Sequence, residues 1–257
     1  MIADTHNKVS ASGSNLSERL ENLLTGNVFG TLRYLEFEDG FSRLLSHAAF
    51  VGTEVQHKWD NAISKCSWRN TEVKFWERMD GKEIDFVIHG PDDLLVGCEV
   101  KYRSWLSSDD DVEFAETTGK DVAGESINQL AEYGRRLEQR SNNSFLLLIA
   151  PKDKGHYIVS NALRRKILPV SVPLGLLLWE DIYNVATFEH VSATSHPKRF
   201  LFGDMSTLLA RKNFQTFSGW DTCSHVTDAA YVFRNETKLF DWPTALVKGE
   251  MTYVFRT

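Results

Sequence analysis

Two apolar, β-branched segments flank a short run of turn-forming residues. Glu83–His89 (EIDFVIH) leads into Gly90, Pro91, Asp92 and Asp93, and Leu94–Tyr102 (LLVGCEVKY) follows. Gly, Pro and Asp each suit tight turns, so the stretch predicts an antiparallel hairpin. Pairing register then decides which side chains meet. With the turn centred near Pro91–Asp92, Asp85 falls opposite Glu99 or one place from it. Glu99 and Lys101 lie two apart and share a face, while Cys98 and Val100 point the other way. Opposed side chains have Cβ atoms about 5 Å apart, so two carboxylates there repel. A strand this apolar is buried, and buried charge demands compensation. A hard divalent cation, Mg²⁺ or Mn²⁺, held by Asp85, Glu99 and the Val100 carbonyl would supply it. Such an ion lowers the pKa of a bound water and polarises a phosphoryl oxygen. Lys101 is then placed to position that water and to stabilise charge developing on phosphate. The plainer alternative is a Glu99–Lys101 ion pair, with Asp85 a surface residue near the turn.

The rest of the chain fits an α/β fold. Asn15 and Glu18 have capping-box spacing, and Leu16, Leu20, Leu23 and Leu24 follow at helical intervals. Gly26 is expected to interrupt that helix before a second stripe, Val28, Phe29, Leu32 and Leu35, and a third helix is expected near Phe41–Phe50. Glu72–Glu77 alternates as a strand, with Val73 and Phe75 on one side. Ser104–Glu125 is polar and acidic, including Asp109–Asp111, and reads as a loop. Ile127, Leu130, Ala131, Gly134 and Leu137 place one apolar face on a helix. Phe145–Ala150 and Leu174–Trp179 read as short buried strands, the second followed by a helix opening at Glu180 or Asp181. Together these predict a central mixed sheet built from a β-meander, flanked by the N-terminal helices and the Gln129 helix. Residues 1–15 read as a leader and 16–195 as the core. Residues 196–257 read as an aromatic C-terminal subdomain with β content, because Tyr231–Arg234 and Tyr253–Arg256 are both YVFR.

Asp85 in EIDFVI and Glu99-x-Lys101 in GCEVKY resemble the metal-binding strand pair of the PD-(D/E)XK nuclease superfamily. Gln129 and Tyr133 in QLAEY resemble the QxxxY motif of its RecB-like branch. Glu21, opening ENLLTGNVFGTL, is similar to the acidic N-terminal motif of such nucleases, with Glu18 as its competitor. The order Glu, Asp, Glu-x-Lys, Gln-xxx-Tyr is the one that the family requires, over roughly residues 16 to 182. One departure is plain: Ile84 stands where a proline often precedes the metal-binding acid. The resemblance implies a restriction-endonuclease-like core and Mg²⁺-dependent hydrolysis of phosphodiester bonds in DNA, in a genome-defence or DNA-processing setting. It also implies that Glu21 completes the metal shell, directly or through water, and that Gln129 and Tyr133 orient the site or the scissile strand. Against this, Gln129 and Tyr133 are i and i+4 neighbours beside an apolar stripe, a spacing that plain helix surface also shows.

Composition bounds the remaining choices. Of 257 residues, 42% are hydrophobic and 25% charged, enough to bury a substantial core. The longest apolar runs span about six residues, far short of the roughly twenty needed to cross a bilayer. Cys66, Cys98 and Cys223 are odd in number and form no CxxC pair, which excludes a disulfide framework or zinc site built on paired cysteines. Without a signal-peptide pattern, this points to the cytoplasm. The formal net charge of −6 gives no general attraction to nucleic acid, so any affinity rests on local patches such as Arg135, Arg136 and Arg140 or Arg164, Arg165 and Lys166. Runs of this kind are commonly solvated faces. No Walker motif is present. Two readings compete with a nuclease: a nucleic-acid-binding subunit without turnover, and a protein-interaction module docking a partner through Trp220 and Trp242.

Overall fold

A computed structural model describes residues 16–106 and 126–215, with side chains from Leu20 onward. The leader with Asn15, the side chain of Glu18, Asp109–Asp111, both YVFR segments, Trp220 and Trp242 lie outside the described residues.

The architecture is α/β: a six-stranded mixed sheet in the order β1-β6-β5-β4-β3-β2, flanked by helices. Strands β2 (Glu72–Met79), β3 (Lys82–His89) and β4 (Leu94–Val100) form an antiparallel meander. β5 (Asn143–Ala150) and β6 (Leu174–Leu178) then add in parallel, and the two-residue β1 (Ala49–Phe50) closes the far edge antiparallel to β6. Parallel neighbours need crossovers. Helix α4 (Gln129–Arg140) carries the chain from β4 to β5, and α5 (Lys152–Arg165) from β5 to β6.

The sheet separates two apolar cores, which is why its central strands carry unbroken apolar runs. Phe145, Leu147 and Ile149 of β5 enter one core, whereas Leu146, Leu148 and Ala150 enter the other. The first core is closed by α1 (Leu16–Val28), α2 (Phe41–Leu45), α3 (Thr53–Ser64), α6 (Trp179–Ser192) and α7 (His196–Arg211). The second is closed by α4 and α5. Gly97 of β4 faces α4, where an added Cβ would come within 2.9 Å of Leu137 and Ile84. The glycine lets the helix seat closely on the strand that carries Glu99.

Several boundaries depart from the sequence reading. Gly26 does not break α1, which runs on to Val28. A single glycine costs a helix only about 1 kcal/mol, and the buried Leu24, Thr25 and Val28 outweigh it. In place of a helix across Phe41–Phe50, the short α2 gives way to β1. Ile127 is exposed and precedes α4, whose N-cap is Asn128, its side chain accepting from the Leu130 amide. Residues 196–211 form α7, which packs along α6 through Phe202, Met205 and Leu209. Among the described residues, α7 belongs to a compact unit that extends to Gln215. Among the described residues, no helix is long and apolar enough to cross a membrane.

Candidate active site

The hairpin closes as its turn chemistry dictates. The Gly90 amide donates to Leu94 O at 2.8 Å, and Asp92 and Asp93 take positive φ (55° and 58°), a conformation short polar side chains tolerate. The β3–β4 ladder runs from His89↔Leu95 to Phe86↔Cys98. One step further, that register sets Asp85 opposite Glu99, and there the ladder stops. In place of a main-chain partner, the Val100 amide donates to Asp85 Oδ2 at 2.7 Å. The carboxylate is wedged where the two strands part.

The same row is irregular on its other side. Trp76, the β2 residue level with Asp85, has φ of 52°, which for a bulky side chain in a strand is a strained backbone. Side-chain alternation inverts there. Phe75 and Trp76 both enter the first core, and Phe86 and Ile88 enter it while Ile84 enters the second. The Trp76 indole N–H reaches Asn22 Oδ1 of α1 at 3.3 Å, tying this irregular row to the helix that carries Glu21.

Glu21 lies on the buried face of α1, one turn before Leu24 and Thr25 and two before Val28. Its Oε2 accepts from the Tyr102 amide at 2.8 Å and from Ser104 Oγ at 2.6 Å. Its Oε1 lies 3.6 Å from Lys101 Nζ, and Glu99 Oε1 lies 2.6 Å from the same ammonium. Glu21, Glu99 and Lys101 are only 6%, 3% and 5% exposed, so these charges meet with almost no water between them. Trp179 of α6 fixes the strand from behind, its indole N–H donating to Lys101 O at 2.8 Å.

Gln129 and Tyr133 are not helix surface. Both are buried on α4 and face Glu99. Gln129 Nε2 donates to Glu99 Oε1 at 2.8 Å and to Tyr133 Oη at 2.9 Å, and Tyr133 in turn donates to Glu83 O at 2.6 Å. The chain Glu83–Tyr133–Gln129–Glu99 thus anchors one carboxylate to two elements. All of Glu21, Asp85, Glu99, Lys101, Gln129 and Tyr133 fall in one cluster. Val100 contributes its main chain only, since its side chain is buried in the first core. Ser104 and Trp179 were not singled out from sequence. Ser104 follows Lys101 closely enough to have been considered, whereas nothing local marks Trp179.

The electrostatics follow from three carboxylates around one ammonium. Burial pushes the Asp85 carboxyl well above the ordinary carboxylate range, although the side chain keeps some exposure. Glu99 raises it further, while Lys101 and the Val100 amide oppose the rise. Burial also raises Glu99, with Lys101 working against it. Desolvation alone would lower Lys101, but Glu99, Glu21 and Asp85 together hold its ammonium above the usual lysine value. Burial, followed by the charge on Glu99, keeps the Tyr133 phenol protonated far beyond neutral pH.

With every group ionised, two negative charges stay uncompensated. Among the described residues no three Asp, Glu, His or Cys side chains converge as a ready-made metal shell, because Glu21 and Glu99 converge on Lys101 instead. The donor chemistry nevertheless suits a hard dication: all-oxygen ligands, a charge deficit of two, and an Asp85 Oδ1 that no donor among the described residues reaches. Compared with protein-family models, curated proteins and solved structures, the chain matches none.

Proposed function

We propose that the chain is a divalent-metal-dependent nuclease with a restriction-endonuclease-like core, hydrolysing phosphodiester bonds in DNA. One observation carries this reading: Glu99 and Glu21 flank the buried ammonium of Lys101, and the Asp85 carboxyl, held on the Val100 amide, joins them where the β3–β4 ladder opens. A purely structural ion pair needs one carboxylate. Gathering three, with raised proton affinity on two of them, is costly unless a further cation offsets their charge. The chain order of Glu21, Asp85, Glu99-x-Lys101 and Gln129-xxx-Tyr133 supports membership of the PD-(D/E)XK superfamily, as does a meander continued by parallel strands.

Asp85, Glu99 and the Val100 carbonyl, with Glu21 directly or through water, are the groups that would hold Mg²⁺ or Mn²⁺. Bound there, the ion supplies a water of lowered pKa and a polarised phosphoryl oxygen. The residues themselves do the positioning. Lys101 stays protonated at any physiological pH and offers N–H donors to a phosphate oxygen or to the attacking water. Gln129 fixes the Glu99 carboxylate, and Tyr133 fixes Gln129 through an anchor on β3. Ser104 and the Tyr102 amide hold Glu21 at the edge of the cluster. The test is incubation of the purified chain with plasmid, linear DNA and RNA, in Mg²⁺ or in EDTA. Cleavage that EDTA abolishes supports the reading, and the absence of any cleavage in Mg²⁺ or Mn²⁺ overturns it.

A further inference from the structure

Four residues beyond Lys101, the same strand exit builds a second feature. Trp105 and Tyr157 of α5 pack edge to face, with ring centroids 5.8 Å apart and planes at 84°. Both are exposed, at 55% and 58%, so their rings are available to a ligand. They line a cavity of about 360 Å³ together with Leu106, Ile158, Asn128 and Asn161. Lys154 stands at its edge, its ammonium 5.2 Å from the Trp105 ring centroid. The same ammonium donates to Arg103 O at 2.5 Å, so Trp105 is held in place by α5 on one side. On the other side Ser104, its neighbour, is bonded to Glu21. The cavity wall is also joined to the site through Asn128, which caps the helix that begins at Gln129.

An apolar cavity alone would suit many ligands. This one combines exposed aromatic rings, a cation in contact with one of them, and the carboxamide of Asn161, next to groups suited to phosphate chemistry. Aromatic rings stack on any base, carboxamides offer both a donor and an acceptor, and an ammonium attracts the backbone. A base within a duplex keeps its faces on its neighbours and cannot use such a platform, whereas an unpaired base can.

Resting on the nuclease reading above, we infer that Trp105 and Tyr157 form a stacking platform for an unpaired base, so that the substrate engaged at this site is single-stranded DNA. The neighbouring phosphate then lies toward Lys101. Stacking of one base is worth enough to change Kd by about tenfold or more.

The test is binding by the full chain in EDTA, where no turnover occurs. The probes are a fluorescent oligothymidylate of about twelve nucleotides, within the usual site sizes, and a duplex of equal length. Trp105→Ala should weaken binding of the single strand about tenfold or more and leave the duplex within about twofold. Trp105→Phe, which keeps a stacking ring, should bind the single strand nearly as the parent does. Because Trp105 is exposed, the melting temperature of Trp105→Ala should stay close to the parent's. The inference is overturned if the parent does not bind the oligothymidylate. Equal single-strand affinity for parent and Trp105→Ala, or equal loss on duplex, would also overturn it. A parent that binds through Trp105 but cleaves nothing in Mg²⁺ would leave the platform standing and remove the nuclease reading instead.

Discussion

Asp85→Asn separates the two things that Asp85 does. The amide oxygen of Asn can still accept the Val100 N–H, so the hydrogen bond that plugs the opened ladder survives. The negative charge does not. A carboxyl whose proton affinity is raised on folding adds stability that is fully present below its usual value of 3.8 and lost as pH rises through the raised value. At neutral pH the metal-free parent has lost that contribution, and Asp85→Asn has nothing to lose. Each tenfold rise in proton affinity is worth about 1.4 kcal/mol, or roughly 3–6 °C of melting temperature for a unit of this size. Metal-free Asp85→Asn should therefore melt several degrees above the parent at neutral pH, and the gap should close as pH falls toward 4. Mg²⁺ should reverse the order. At a hundred times its Kd it stabilises a protein that binds it by about 2.7 kcal/mol, roughly 5–11 °C here, and should do little for Asp85→Asn. Calorimetric melts from pH 4 to 8, with Mg²⁺ or EDTA, read all of this. A parent more stable than Asp85→Asn in EDTA at neutral pH, or equal Mg²⁺ stabilisation of both, would refute the charge argument.

Four further outcomes are expected. Asp85→Ala leaves the Val100 amide without its partner and should be about 1–3 kcal/mol less stable than Asp85→Asn in denaturant titrations. Lys101→Met leaves three carboxylates with no internal cation, so the metal-free protein should lose about 3–5 kcal/mol and all cleavage. Gln129→Ala should cost about 1–3 kcal/mol and lower turnover by an order of magnitude or more. Gln139→Ala, exposed on the same helix, should change neither measure. Ca²⁺, larger and a poorer activator of water, should stabilise the parent in melts yet support little or no cleavage.

The hairpin was legible because turn residues and apolar runs specify register together, and register alone sets Asp85 against Glu99. What the pattern could not convey is that the ladder stops there and a side chain replaces the missing main-chain partner. The left-handed Trp76 was hidden for a similar reason: strain at one residue leaves no periodic trace. Gln129 and Tyr133 were ambiguous because a buried polar pair and a solvated one have the same spacing, and only the Glu99 contact decides between them. Arg136, which sequence suggested would face outward, is half-buried against Glu132. The helices Thr53–Ser64 and Lys152–Arg165 were missed because their buried faces are sparse, Trp59, Ala62 and Ile63 in one and Gly155, Ile158 and Ala162 in the other. The helix His196–Arg211 did carry a signal, Pro197 in the first turn and Phe202, Met205 and Leu209 on one face, but the aromatic texture downstream obscured it.

The most direct measurement is the rate at which the purified chain cuts DNA as free Mg²⁺ is removed with EDTA and then restored, run beside folded Asp85→Asn. The parent should cut in Mg²⁺, stop in EDTA and resume when Mg²⁺ returns, while Asp85→Asn stays inert throughout. Cleavage that persists in EDTA, or that Asp85→Asn carries out as fast as the parent, would contradict a metal held by Asp85.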